Sequence, residues 1–304
     1  MPAKNAALAV LALMFNALVW GLSWWPFRQF QAAGLHPLWT TVALFLLAVL
    51  VIALSRRQAV AELLRTPSLW VLLLASGATN TFFNWGVALG DVLRVVLLFY
   101  LMPLWAALLA RALLGERLTG LATLRMALAL GGAAIVLMPS GGGFPMPAGL
   151  ADWLGLAGGM AFAMTNVMLR HEAQRGAPAV ALALFGGGVL VAGAAATVMA
   201  GIGFISWPAI AHSGWLLPLL GMALLFFASN LALLYGAGRL PVNVTAVVML
   251  LEVPVAAGSA LWLGGGQLDA KTALGGACIL AAAVLAALGP AATIQASSKQ
   301  EVAP

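Results

Sequence analysis

Apolar runs of about 20 residues follow one another along almost the whole chain, parted by charges or by Gly and Pro breaks, and each is long enough to cross a bilayer as a helix. The composition agrees: 63% of residues are hydrophobic and 7% charged, with a mean hydropathy of +1.06, against about 25% charged in a soluble domain. The chain is therefore read as an all-α membrane protein, and its 304 residues are counted in crossings. The net charge of +6 is scattered among apolar spans, so it reads as a topology signal and not as a nucleic-acid surface. Cys278 stands alone, which excludes a disulfide framework and a cysteine metal site.

Ten spans are expected, near 6–27, 35–54, 68–89, 92–114 and 119–138, then 150–170, 178–202, 213–236, 241–263 and 272–292. The run after Lys4 lacks a small-residue cleavage site at its end, so it is read as an uncleaved first helix. With the N-terminus inside, the interior collects Lys4, Arg56, Arg57, Arg65, Arg111, Arg117, Arg125, Arg170, Arg175, Arg239 and Lys299. The exterior keeps Arg28, Arg94 and Lys271, a bias that places both termini in the cytoplasm.

"PSGGGFPMPAG", Pro139 to Gly149, reads as the join between two halves: 1–140, a linker at 141–149, 150–292, and a cytoplasmic tail at 293–304. At an offset of 151, Pro103 meets Pro254 and Gly115–Glu116 meets Gly266–Gln267; at 142, Ser23, Arg28 and Gly34 meet Thr165, Arg170 and Gly176. Five helices per half is an odd number, so the second copy enters the membrane inverted. Inverted repeats in transporters place the substrate site near the midplane between the copies.

Polar side chains at depth mark where such a site would lie. Asn16, Trp20, Ser23 and Phe27 share a face of the first span, and Ser76, Asn80 and Asn84 recur at intervals of four in the third. Phe99, Tyr100 and Pro103 lie mid-span in the fourth, Phe162, Thr165 and Asn166 in the sixth, Asn230 in the eighth, and Thr245, Glu252 and Ser259 in the ninth. Spans 1, 3, 4, 6, 8 and 9 should surround a central cavity, with 2, 5, 7 and 10 at the periphery. Ser76, Thr245 and Ser259 equally suit helix packing. Trp39, Trp70, Trp153, Trp207, Trp215 and Trp262 suit interfacial anchoring.

Glu252 is the sharpest feature, the only charge between Arg239 and Asp269 and the twelfth residue of its expected span. Three roles fit a membrane-centre carboxyl: a proton-coupling site, a contact for a substrate amino group, and a protonated structural donor. Pro103 and Pro254 interrupt their helices at matched depths, as hinges or as static kinks.

His36, His171 and His212 fall near span ends without ligand spacing, so no metal is expected. There is no Walker motif, and no histidine or lysine lies mid-span to activate a serine, so neither ATP hydrolysis nor another enzyme activity is expected.

The segments "YLMPLWAALLARALLGERL" (Tyr100 to Leu118) and "LYGAGRLPVNVTAVVMLLEVPVAAGSALWLGGG" (Leu234 to Gly266) resemble the EamA branch of the drug/metabolite transporter superfamily. "LVWGLS" and "YLMP" are similar to the YddG-type exporters of aromatic amino acids. Gln267 departs from the pattern, standing where Glu116 keeps the family glutamate in the first half. The resemblance implies a cofactor-free exporter in the bacterial inner membrane, with a central cavity between the halves. The combined expectation is a monomer that moves neutral amino acids by alternating access. Asn80, Asn84, Asn166 and Asn230 would hold the amino and carboxyl groups, and Trp20, Phe99 and Tyr100 would receive the side chain, with Ser23, Phe162 and Glu252 beside them. Efflux of lipophilic cations, with Glu252 as counter-charge, is the alternative.

Overall fold

The computed structural model describes residues 3–114, 120–139, 143–172, 174–208, 214–240 and 242–288, and every regular element among them is an α-helix. In chain order these are α1 (Ala3–Leu22), α2 (Trp24–Ala32), α3 (Pro37–Ser55), α4 (Arg57–Arg65), α5 (Pro67–Leu89), α6 (Val92–Phe99) and α7 (Met102–Leu114). They continue as α8 (Gly120–Leu137), α9 (Leu150–His171), α10 (Ala177–Gly201), α11 (Leu216–Ala237), α12 (Val242–Met249), α13 (Glu252–Trp262) and α14 (Ala270–Leu288). Among the described residues, eight runs are long and apolar enough to cross a membrane, and the bent pair α4–α5 makes a ninth.

α1 shows how such a helix is sorted in lipid, where both faces are apolar. Leu8, Leu11, Phe15, Leu18 and Leu22 recur at three and four residues and are exposed, while Ala9, Leu13, Asn16 and Ala17 form the buried stripe. Small and polar residues therefore face protein, and large aliphatic ones face outward. The first span extends to Ala32, beyond the expected end at 27, and turns at Ser23, whose hydroxyl donates to the Trp20 carbonyl at 2.7 Å.

Glycines set how closely the helices approach. A Cβ on Gly159 of α9 would sit 2.4 Å from the Phe99 carbonyl oxygen, and one on Gly155 would sit 2.9 Å from that of Val95. The end of α6 thus lies directly on α9. α8 and α14 meet at Gly132 and Gly275, where a Cβ on either would fall 2.6 Å from the other's carbonyl oxygen.

One expectation needs correction. The seventh span is not peripheral: α10 is wedged against α3 and α5, with Gly187 facing the Leu73 carbonyl and Gly188 facing the Phe45 ring. Its mid-helix glycines are the reason, since they remove the side chains that would hold neighbours away. The segment between spans two and three holds a helix of its own. α4 folds there because Ala59 and Leu63, four residues apart, bury one face, and it meets α5 at 100°. Thr66, which precedes Pro67, is extended at φ −114°, as a residue before proline prefers, and that ends α4.

Candidate functional site

The fourth and ninth spans are each built from two helices with a break, α6–α7 at Tyr100–Leu101 and α12–α13 at Leu250–Leu251. The breaks have a simple cause. Pro103 and Pro254 lack the N–H that would continue the helical ladder, so the helix restarts one or two residues before each. Both breaks are tightened turns, bridged by bonds such as Leu101 N to Leu98 O at 3.2 Å and Leu251 N to Val248 O at 3.1 Å.

Glu252 is consequently the first residue of α13 instead of the middle of an unbroken helix. The turn before it spends the nearby backbone N–H groups on earlier carbonyls, Val253 N on Leu250 O and Val255 N on Leu251 O, so the carboxyl is left for side-chain partners. Glu252 is half-buried, and its Oε2 lies 3.5 Å from the hydroxyl of buried Tyr100 at the other break. α1 comes close because Gly21 has no side chain: a Cβ there would sit 2.8 Å from the Glu252 carbonyl oxygen.

A chain of rings leads away from this pair. Phe99 has ring centroids 6.0 Å from Tyr100, 5.4 Å from Phe162 and 4.7 Å from Phe83. Phe83 is 6.5 Å from Trp20, which meets Phe226 at 4.9 Å. Five sequence-selected residues, Trp20, Phe99, Tyr100, Phe162 and Glu252, thus gather in one place from α1, α6, the turn after it, α9 and α13.

One end of the molecule is tied shut. The Asp91 carboxylate accepts from Arg94 N at 3.0 Å and from Gln267 N at 2.9 Å, while Val92 N donates to Gly265 O at 3.0 Å. Arg28 donates to Val87 O and Gly90 O and lies over the Trp24 ring. A shallow cleft of about 440 Å³ lined by Arg28, Asp91 and Gly264–Gln267 remains there. Gln267 takes part through its backbone, so the missing glutamate side chain is immaterial to this bond; Glu116 lies outside the described residues. Beside it, Arg94 grips Asp152 with two bonds, at 2.7 and 2.8 Å, and donates to Val136 O, joining α6 to α9 and α8.

Residues 7–138 match the EamA-like transporter family. Over that stretch, somewhat under half of its length, the chain is similar to EamA-like transporters. The match covers α1 to α8, which contribute Trp20, Phe83, Phe99, Tyr100 and the Arg28–Asp91 ties; Phe162 and Glu252 come from the remainder. A protein of known crystal structure is similar in fold, with a TM-score of 0.54 and 20% identity over 91% of this chain and 95% of that one. No curated protein matches the chain. The match points to a membrane transporter of small molecules, and the helices long and apolar enough to cross a membrane agree with a multi-pass protein.

Three of the four amides expected to bind substrate are otherwise engaged. Asn84 is fully buried and donates to Thr41 Oγ1 at 3.0 Å, tying α5 to α3. Asn80 and Asn230 each donate to a carbonyl four residues earlier in their own helices, at 2.8 Å. Half-buried Asn166 has no bonded partner among the described residues. Ser23 is buried and spends its hydroxyl on the turn. Sequence reasoning missed Phe83, three residues after Asn80 on the same face; attention to polar residues passed over it. It also missed Trp24, whose indole donates to Ser259 Oγ at 2.9 Å.

Proposed function

We propose that this chain is an EamA-type transporter that exports amino acids, aromatic and other neutral ones, across the bacterial inner membrane. The reading holds ten spans in two inverted five-helix repeats, 1–140 and 150–292, with both termini cytoplasmic, working as a monomer by alternating access. α9 would be the tenth span. The observation that carries it is the group at the two broken helices: a carboxyl, a phenol and a series of rings in contact with one another. The rings suit an aromatic or aliphatic side chain, the Glu252 carboxyl suits an ammonium group, and neither selects one amino acid sharply. Asn80, Asn166 and Asn230 would turn from their own helices to the substrate, while Asn84 and Ser23 would hold the wall. Pro103 and Pro254 mark the turns about which half-helices would swing.

The opposed ends support an account of access. The Asp91 end is tied by backbone and side-chain bonds, and Val95 to Leu101 are buried without interruption. At the other end the described side chains of α12, from Val244 to Met249, are all partly or fully exposed. On this reading the state is one closed outside and looser inside. Preloaded cells expressing the chain should release labelled phenylalanine several-fold faster than cells expressing Trp20→Ala. Equal release with and without the protein, together with release of tetraphenylphosphonium, would favour cation efflux with Glu252 as counter-charge.

A further inference from the structure

Among the described arginines, those shielded from solvent are bonded with one exception. Arg28 and Arg94 each have carbonyl or carboxylate acceptors on at least two atoms. Arg125, in the second turn of α8, has Nε and Nη2 covered by protein and without a partner. Its position on the helix explains the covering. The buried stripe of α8 runs through Ala129, Gly132, Ala133 and Val136, and Arg125 stands four residues before Ala129 on that face. An arginine that merely reached for the membrane surface would keep its guanidinium wet; this one has two nitrogens enclosed.

Two more covered groups lack partners in the same half of the molecule. They are the indole Nε1 of Trp105 on α7, which packs on α8, and the hydroxyl of Thr245 on α12. At the opposite end Arg28, Asp91, Arg94 and Asp152 are all bonded. The register read from the sequence adds a contrast, since Arg125 corresponds to Gly276, where a Cβ would already be 3.1 Å from Leu97. One half keeps the position empty and closed; the other fills it with a cation whose N–H groups are unspent.

We propose that Arg125 and Trp105, on the adjacent helices α8 and α7, form a binding site for an oxyanion, and that this oxyanion is the substrate carboxylate entering from the looser end. The guanidinium supplies charge and planar donors suited to a carboxylate, and the indole supplies one further donor. A lipid phosphate shares this chemistry and is the other source. The carboxylate assignment rests on the amino-acid reading, whereas the oxyanion site itself does not.

The test uses the purified full chain in nanodiscs, as wild type, Arg125→Lys, Arg125→Gln and Trp105→Phe, with monodispersity checked for each. Phenylacetate, which has a carboxylate and no ammonium, should raise the unfolding temperature of wild type, act less on Arg125→Lys and Trp105→Phe, and fail on Arg125→Gln. Phenethylamine, lacking the carboxylate, should act equally on all four. In liposomes, Arg125→Gln should raise the half-saturating phenylalanine concentration about tenfold, the loss expected of one charge-assisted hydrogen bond. If phosphatidylglycerol, and not phenylacetate, stabilises in an Arg125-dependent way, the oxyanion site stands with lipid as its source and the substrate-carboxylate assignment falls. Equal shifts for wild type and Arg125→Gln with both probes would overturn the site. Arg125-dependent phenylacetate binding without phenylalanine transport by wild type would keep the site and sink the amino-acid reading.

Discussion

At the scale of single residues, polar groups at depth are occupied in ways that only the fold reveals. Asn16 donates to Ser229 Oγ at 2.7 Å and to its carbonyl at 3.0 Å across 213 residues of sequence. Its face was legible from spacing, but its partner was not, because nothing local encodes a contact that distant. Asn16→Ala should lower stability by about 1 kcal/mol, as membrane hydrogen bonds of this kind do, read from thermal unfolding in detergent. His36 lies between spans and caps α3, its Nδ1 accepting from Leu38 N at 3.3 Å. Burial pushes its pKa down from the ordinary 6.5 to about 4. The folded state therefore prefers neutral imidazole, so this stability is complete above about pH 6.5 and is lost as pH falls towards 4. The unfolding temperature of wild type should decline over that window and that of His36→Asn, which caps without titrating, should decline less; parallel slopes would refute the assignment.

At the scale of elements, the apolar runs announced the long helices, because lipid demands an uninterrupted stretch. α4 went unseen: nine residues bearing Arg57, Glu62 and Arg65 look like a loop when only spans are sought, although Ala59 and Leu63 carry the helical period. Glu172, the C-cap of α9, ties the same region. Burial opposes its charge, yet hydrogen bonds from Ser68 and Arg175 outweigh that and hold its carboxyl below the usual range. The two prolines foretold the breaks, but the position of Glu252 at a helix start followed only from where the ladder resumed. The glycines of α9 carry a sharper prediction. Gly159→Ala places a methyl 2.4 Å from the Phe99 carbonyl oxygen, against backbone that cannot turn aside. It should cost about 1–3 kcal/mol and displace the ring at Phe99; an unchanged unfolding temperature would mean that α6 and α9 are not so closely set.

At the scale of the molecule, the arginine distribution and the matched prolines suggest an orientation that the helices themselves leave open. On a Cys278→Ser background, Gln267→Cys should react with an impermeant maleimide added outside intact cells, and Arg57→Cys only after permeabilisation. The reverse pattern would invert the topology. The central claim is that the carboxyl and rings at the two broken helices carry amino acids. Its most direct test is the flux of labelled phenylalanine into liposomes holding the purified protein, with and without a pH gradient, for wild type and Glu252→Gln. The account predicts saturable uptake by wild type and a loss in the variant of either gradient-driven accumulation or affinity for the ammonium-bearing substrate. Uptake no faster than through empty liposomes, or a Glu252→Gln variant identical to wild type in both respects, would contradict it.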